Sequence, residues 1–188
     1  MSIVNNTDRK AASAERSVTS ERQTSRAWWF LGTLAVLRNP EGAPRVPAVI
    51  ELTIPPGGSP PLHLHDTLDD SFLVLEGEVV VRCDAQTIIG RPGTYVTLPK
   101  GVPHTFRVTS EAPAHLLSVH ADDSFLAFIE EIGTPTGEHR LPPDAEHDDH
   151  DREMLAAAGK RHDLQIVGPP LRDEEARSFL GDAARQRS

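Results

Sequence analysis

The chain has one cysteine, Cys83, so no internal disulfide can form. Cys83 sits in an apolar, β-branched run, where a buried, inert thiol is expected rather than a nucleophile. No stretch approaches the ~20 consecutive apolar residues of a membrane span. The N-terminus lacks the apolar core of a signal peptide. A cytoplasmic location is therefore the default expectation. Positive charge is in deficit too, with a net charge of −9 at pH 7. That balance argues against a nucleic-acid partner and against anionic membrane surfaces. No internal repeat is visible, so one barrel's worth of strands is expected rather than two.

What is abundant points to turns. Sixteen Pro and thirteen Gly in 188 residues favour many short elements, and hence a β architecture over a helical bundle. That length suits one domain plus tails. Residues 1–25 are polar and are expected to form a disordered arm. Residues 26–122 read as a β domain that opens on the apolar cluster Ala27-Trp28-Trp29-Phe30-Leu31. Short strands are predicted at 46–53, 71–75, 79–83, 87–89, 95–98, 104–108 and 114–120. The loop Pro55-Pro56-Gly57-Gly58-Ser59-Pro60-Pro61 cannot join a central ladder. Residues 123–188 are expected to add one or two helices and loops packed on the barrel. Phe125, Leu126, Phe128, Ile129 and Ile132 fit helical spacing and stop at Gly133. A second helix is predicted from Asp151 to about Ala158, stopped by Gly159. The charged C-terminal stretch reads as a further short helix with a frayed end.

Two segments carry chemistry. One is Gly57-x5-His63-x-His65-x4-Asp70-x6-Gly77, the other Gly93-x5-Pro99-x-Gly101-x2-His104. Positions two apart in a strand share a face, so His63 and His65 can turn their imidazoles into one cavity. Asp70 and His104, from neighbouring segments, can close the site. Three neutral imidazoles and a carboxylate suit one divalent transition metal: Fe, Mn, Ni, Co, Cu or Zn. The glycines and prolines mark tight turns that need a positive or a fixed φ.

These spacings resemble the two motifs of the cupin superfamily over residues 50–120. Pro60-Pro61-Leu62-His63, Phe72-Leu73-Val74-Leu75-Glu76-Gly77-Glu78 and Leu98-Pro99-Lys100-Gly101-Val102-Pro103-His104 carry the likeness. Trp29-Phe30-Leu31-Gly32 and the helix ending in Gly133-Thr134-Pro135 resemble single-barrel bacterial cupins of the quercetin 2,3-dioxygenase-like group. The resemblance implies an all-β cupin barrel (a double-stranded β-helix or jelly roll), a metal on His63, His65, Asp70 and His104, and a homodimer. It also implies an oxygenase acting on a small aromatic or enolisable substrate, with Asp70 in the catalytic role of proton acceptor. The same barrel hosts non-redox cyclases, isomerases and decarboxylases, and non-catalytic binding proteins. Two positions depart from the family pattern. Asp70 stands where Glu is usual and is one methylene shorter, which touches the proton-transfer chemistry more than metal binding. Val108 stands where Asn is frequent.

Other residues have plainer readings beside functional ones. Phe72, Phe106, His120 and Trp29 are candidates for pocket wall. Phe72 and Phe106 fit barrel core equally well, and a surface position is the commoner fate for His120. Trp28 and Trp29 are expected to cover the core or make a dimer contact rather than stack on a substrate. The run His147-Asp148-Asp149-His150-Asp151 is read as a solvated acidic loop, not a second metal site.

Overall fold

Alternation along the strands builds two facing antiparallel sheets. In a computed structural model, which describes residues 25–143 and 152–185, these sheets have seven and five strands. The chain runs β1 (Ala27–Phe30), β2 (Thr33–Leu37), β3 (Ala48–Ile54), β4 (Leu62–His65), β5 (Asp70–Glu76) and β6 (Val79–Cys83). It continues through β7 (Gln86–Gly90), β8 (Tyr95–Leu98), β9 (His104–Val108) and β10 (Ala114–His120). Then follow α1 (Ser124–Ile132), β11 (Thr134–Thr136), α2 (Arg152–Arg161), β12 (Leu164–Gly168) and α3 (Asp173–Arg185). The larger sheet has the order β11-β1-β2-β3-β10-β5-β8, and the smaller β12-β4-β9-β6-β7. This is the jelly-roll barrel expected, followed by three helices where one or two were expected; the third is the charged C-terminal stretch. The polar arm up to residue 24 and the His147–Asp151 run lie outside the described residues.

The core lies between the sheets. Ile50, Leu52 and Ile54 alternate inward from β3, and Ala114, Leu116, Ser118 and His120 from β10. Val79, Val81 and Cys83 face them from β6, with Cys83 buried and free as expected. Leu31 and Gly32, both at positive φ, make the two-residue turn between β1 and β2. Trp28 is buried in the core, while Trp29 is half-buried against Leu34, Val36 and Leu141 on the other face of the sheet.

The C-terminal segment completes the barrel near the His63-x-His65 motif. β12 pairs with β4 through four registered positions, whereas β4 and β9 share one, His63 with His104. Asp163, at φ 59°, accepts hydrogen bonds from the Asp66 and Thr67 amides and the Thr67 hydroxyl, tying β12 to the loop after β4. Glu131 of α1 accepts from Arg161 and His162 and so joins α1 to the end of α2. α3 packs Ala176 and Phe179 against Val80 on the outer face of β6.

Gly159 does not stop α2, which runs on to Arg161. Its role is close approach: a Cβ at 159 would lie 2.7 Å from the Leu164 carbonyl oxygen. Gly159→Ala gains ~1 kcal/mol of helix propensity but drives a methyl into backbone that cannot yield. We expect a net loss of about 1–3 kcal/mol in urea denaturation. A variant at least as stable as wild type would contradict this packing.

Candidate metal centre

His63 and His65 leave β4 on the same side, and His104 opens β9 directly across from His63. The three rings converge. Their centroids are 4.5 Å apart for His63–His104, 5.5 Å for His63–His65 and 5.7 Å for His65–His104. One nitrogen from each lies within 4.8 Å of the other two. Among the described residues this is the grouping of His, Cys, Asp and Glu donors suited to a metal ion.

Backbone carbonyls set the tautomers. His63 Nδ1 donates to the Pro61 carbonyl at 2.7 Å, and His104 Nδ1 to the Val102 carbonyl at 2.9 Å. A carbonyl only accepts, so each Nδ1 carries the proton and each Nε2 presents a bare lone pair. Pro61 supplies the first carbonyl itself, and Pro103 stands between Val102 and His104. His104 Nε2 is buried and has no hydrogen-bond partner among the described residues. A buried, unpaired nitrogen is costly in a protein alone and is what a metal ion satisfies, so the residues fit the group.

The charges agree. Burial, with His104 second, pushes His63 down to about 4, and burial likewise lowers His104. Both are neutral at physiological pH, the form a metal ion needs. Burial works to raise the Asp70 pKa, but the histidines, His120 foremost, outweigh it and hold it below the ordinary value.

Asp70 opens β5 beside the three rings. Its Oδ1 accepts the Ser71 amide at 2.7 Å, and its Oδ2 lies 4.0 Å from His104 Nε2. It stands next to the three-nitrogen group and is not counted within it. Asp69 faces away and accepts the Lys100 amide at 2.9 Å, which binds the first motif to the turn of the second. The His65 carbonyl accepts from Gly101 in the same turn, where a φ of 72° suits glycine.

The centre opens into a cavity of about 340 Å³. Phe72 and Phe106 line it, as two of the pocket-wall candidates. Trp29 does not. Its indole N–H donates 3.0 Å to the Arg140 carbonyl, and its ring packs with Leu34, Val36 and Leu141 on the outer face of the sheet. His120 is 7% exposed, so it is not at the surface; it sits behind the wall rather than in it. The rest of the lining comes from residues that local pattern did not single out. Phe125 and Phe128 of α1, Arg152 and Leu155 of α2 and Ile166 of β12 line the cavity as well. Ser118 was legible in principle, because it shares strand parity with His120.

Residues 50–120 match the family described as "Cupin domain". A stretch of 102 residues is 28% identical to the quercetin 2,3-dioxygenase of Bacillus subtilis (strain 168), covering 54% of this chain and 30% of that protein. The chain thus spans under a third of that curated relative's length. Among solved structures, the polyketide cyclase RemF from Streptomyces resistomycificus is 25% identical, with 53% of this chain and 75% of that one covered and a TM-score of 0.46. A sugar phosphate isomerase of the cupin superfamily from Silicibacter pomeroyi is 23% identical, with 47% and 58% covered and a TM-score of 0.39.

The lowered His63 pKa predicts a pH dependence for metal-free protein. Between pH 6.5 and about 4 the unfolded chain takes a proton on this residue and the folded chain does not. Stability therefore falls as pH drops through that window, by roughly 3 kcal/mol from His63, and levels off below it. Urea denaturation of chelator-treated protein at pH 7 and pH 4.5 should show the fall, and His63→Leu should make it shallower. Equal slopes in the two proteins would contradict the assignment.

Proposed function

This chain is a member of the cupin superfamily, and we propose that its three-histidine centre serves a metal-dependent oxygenase acting on a small aromatic or enolisable metabolite. The single observation behind this reading is the buried, unpartnered His104 Nε2, turned toward two more imidazoles at the polar end of an apolar cavity. His63, His65 and His104 would hold the metal, a donor set suited to Fe, Mn, Ni, Co, Cu or Zn. When bound, such an ion supplies a Lewis acid that acidifies a substrate hydroxyl and, if redox-active, a path for electrons to dioxygen. The likeness to quercetin 2,3-dioxygenase favours the redox use over a cyclase or isomerase.

The chain's own groups divide the remaining work. The Nδ1 protons of His63 and His104 fix the rings, so donor geometry is set before any ligand arrives. Asp70 receives the proton of the substrate hydroxyl. Its carboxylate lies 4.0 Å from His104 Nε2, close to where a hydroxyl at the centre would sit. A carboxylate held below its usual range is a weak base, so this transfer requires a hydroxyl already acidified. Being shorter than Glu, Asp70 is suited to working beside the metal rather than on it. Phe72, Phe106, Phe125 and Phe128 surround the ring of the substrate and exclude water.

Protein purified without added metal should contain close to one equivalent of a transition metal by mass spectrometry. His104→Ala should hold less than about a tenth of an equivalent, with the fold intact by circular dichroism. Asp70→Asn should keep the metal and lose about 10²–10³-fold in kcat on a flavonol or related phenol. Turnover should consume dioxygen and stop under nitrogen. Unchanged turnover without oxygen would overturn the oxygenase reading and favour Lewis-acid chemistry on the same centre.

A further inference from the structure

β10 carries an inward pair that the metal centre does not use. Ser118 and His120 are two apart, so both face the space between the sheets. Ser118 is 4% exposed and lines the cavity, with His120 behind it. Ser118 Oγ and His120 Nε2 are 2.6 Å apart. The other ring nitrogen, Nδ1, is 3.8 Å from Asp70 Oδ1. Phe125 of α1 lies against the imidazole with centroids 4.6 Å apart and holds it in place.

The neighbours set the direction of the Ser118–His120 hydrogen bond. An ionised carboxylate offers only lone pairs. A bare Nδ1 facing Asp70 would set lone pair against lone pair. The favourable tautomer carries its proton on Nδ1, toward Asp70, and leaves Nε2 as an acceptor. Ser118 has one hydroxyl proton, and it goes to Nε2. The competing acceptor, the Ser71 carbonyl, is 3.3 Å away and a weaker partner. With its proton committed, the Ser118 oxygen turns lone pairs alone to the cavity. A ligand hydroxyl reaching it from the cavity would find an acceptor.

We infer that Ser118 is a substrate-binding residue that accepts a hydrogen bond from a ligand hydroxyl, and that His120 is the positioning residue that keeps it an acceptor. The inference rests on the function proposed above and narrows its substrate class. The ligand is an aromatic or enolic molecule with a second hydroxyl, separate from the oxygen at the metal centre. An ether at that second place would meet lone pairs and be rejected.

Resorcinol and its monomethyl ether, 3-methoxyphenol, make a matched pair, because a meta hydroxyl cannot chelate the ion held by the first. Binding is read from the visible spectrum of cobalt(II)-loaded protein. Wild type should bind resorcinol more tightly than the ether. Ser118→Ala should keep its cobalt and lower that preference about fivefold, and Ser118→Thr should restore it. His120→Phe keeps a ring against Phe125 but removes the acceptor, and should lower the preference as well. A purely structural role for either residue would weaken both phenols together. An unchanged preference in Ser118→Ala would overturn the inference and leave the metal centre standing. If neither phenol perturbs the wild-type spectrum, the aromatic-substrate reading fails and takes this inference with it.

Discussion

The molecule turns on the pairing of His63 with His104 across β4 and β9. Cα partners in an antiparallel ladder carry their side chains to the same face. That one register position brings the two sequence motifs together. The third imidazole follows from strand parity, since His65 shares the face of His63. The rings are then locked from behind by the Pro61 and Val102 carbonyls. Among the described residues, nothing hydrogen-bonds to the nitrogen left over on His104. A register slip of one residue on β4 would send both of its histidines to the opposite face and dissolve the centre.

The short β4–β9 contact makes the C-terminal segment part of the site. β4 gains most of its pairing from β12, and α2 packs over β12 so closely that only glycine fits at 159. Asp163 fastens the loop that follows His65. The same segment closes the cavity above the centre, with Leu155 and Ile166 facing the aromatic wall. Support of the strand that carries His63 and His65 and enclosure of the cavity are thus carried by one piece of chain. A barrel without it would lose both.

Local pattern made strands β3 and β5 to β10 legible, and with them the three converging histidines. His-x-His is a parity signal, and Gly77, Gly93 and Gly101 take the positive φ that their turns require. Parity along β10 also implied that His120 faces inward with Leu116, but a histidine at a strand end is ordinarily solvated, and composition favoured the surface. The misplacement of Trp29 has a different cause. Its neighbour Trp28 takes the inward face, so Trp29 lies outside, under a cover from Leu141 that is remote in sequence. Gly159 was read as a helix stop because its use, contact with the Leu164 backbone, is a tertiary fact. The upper wall of the cavity was hidden for the same reason: Phe125, Phe128 and Leu155 look like ordinary core positions of amphipathic helices.

The imidazole cluster has meaning only if it holds an ion. X-ray absorption at the metal edge, on protein purified without supplementation, tests this most directly. The account predicts a first coordination shell dominated by three imidazole nitrogens at ~2.0–2.1 Å, all of them lost when residues 63, 65 and 104 are replaced. A metal that persists in that triple variant, or a wild-type shell without imidazole scattering, would contradict it.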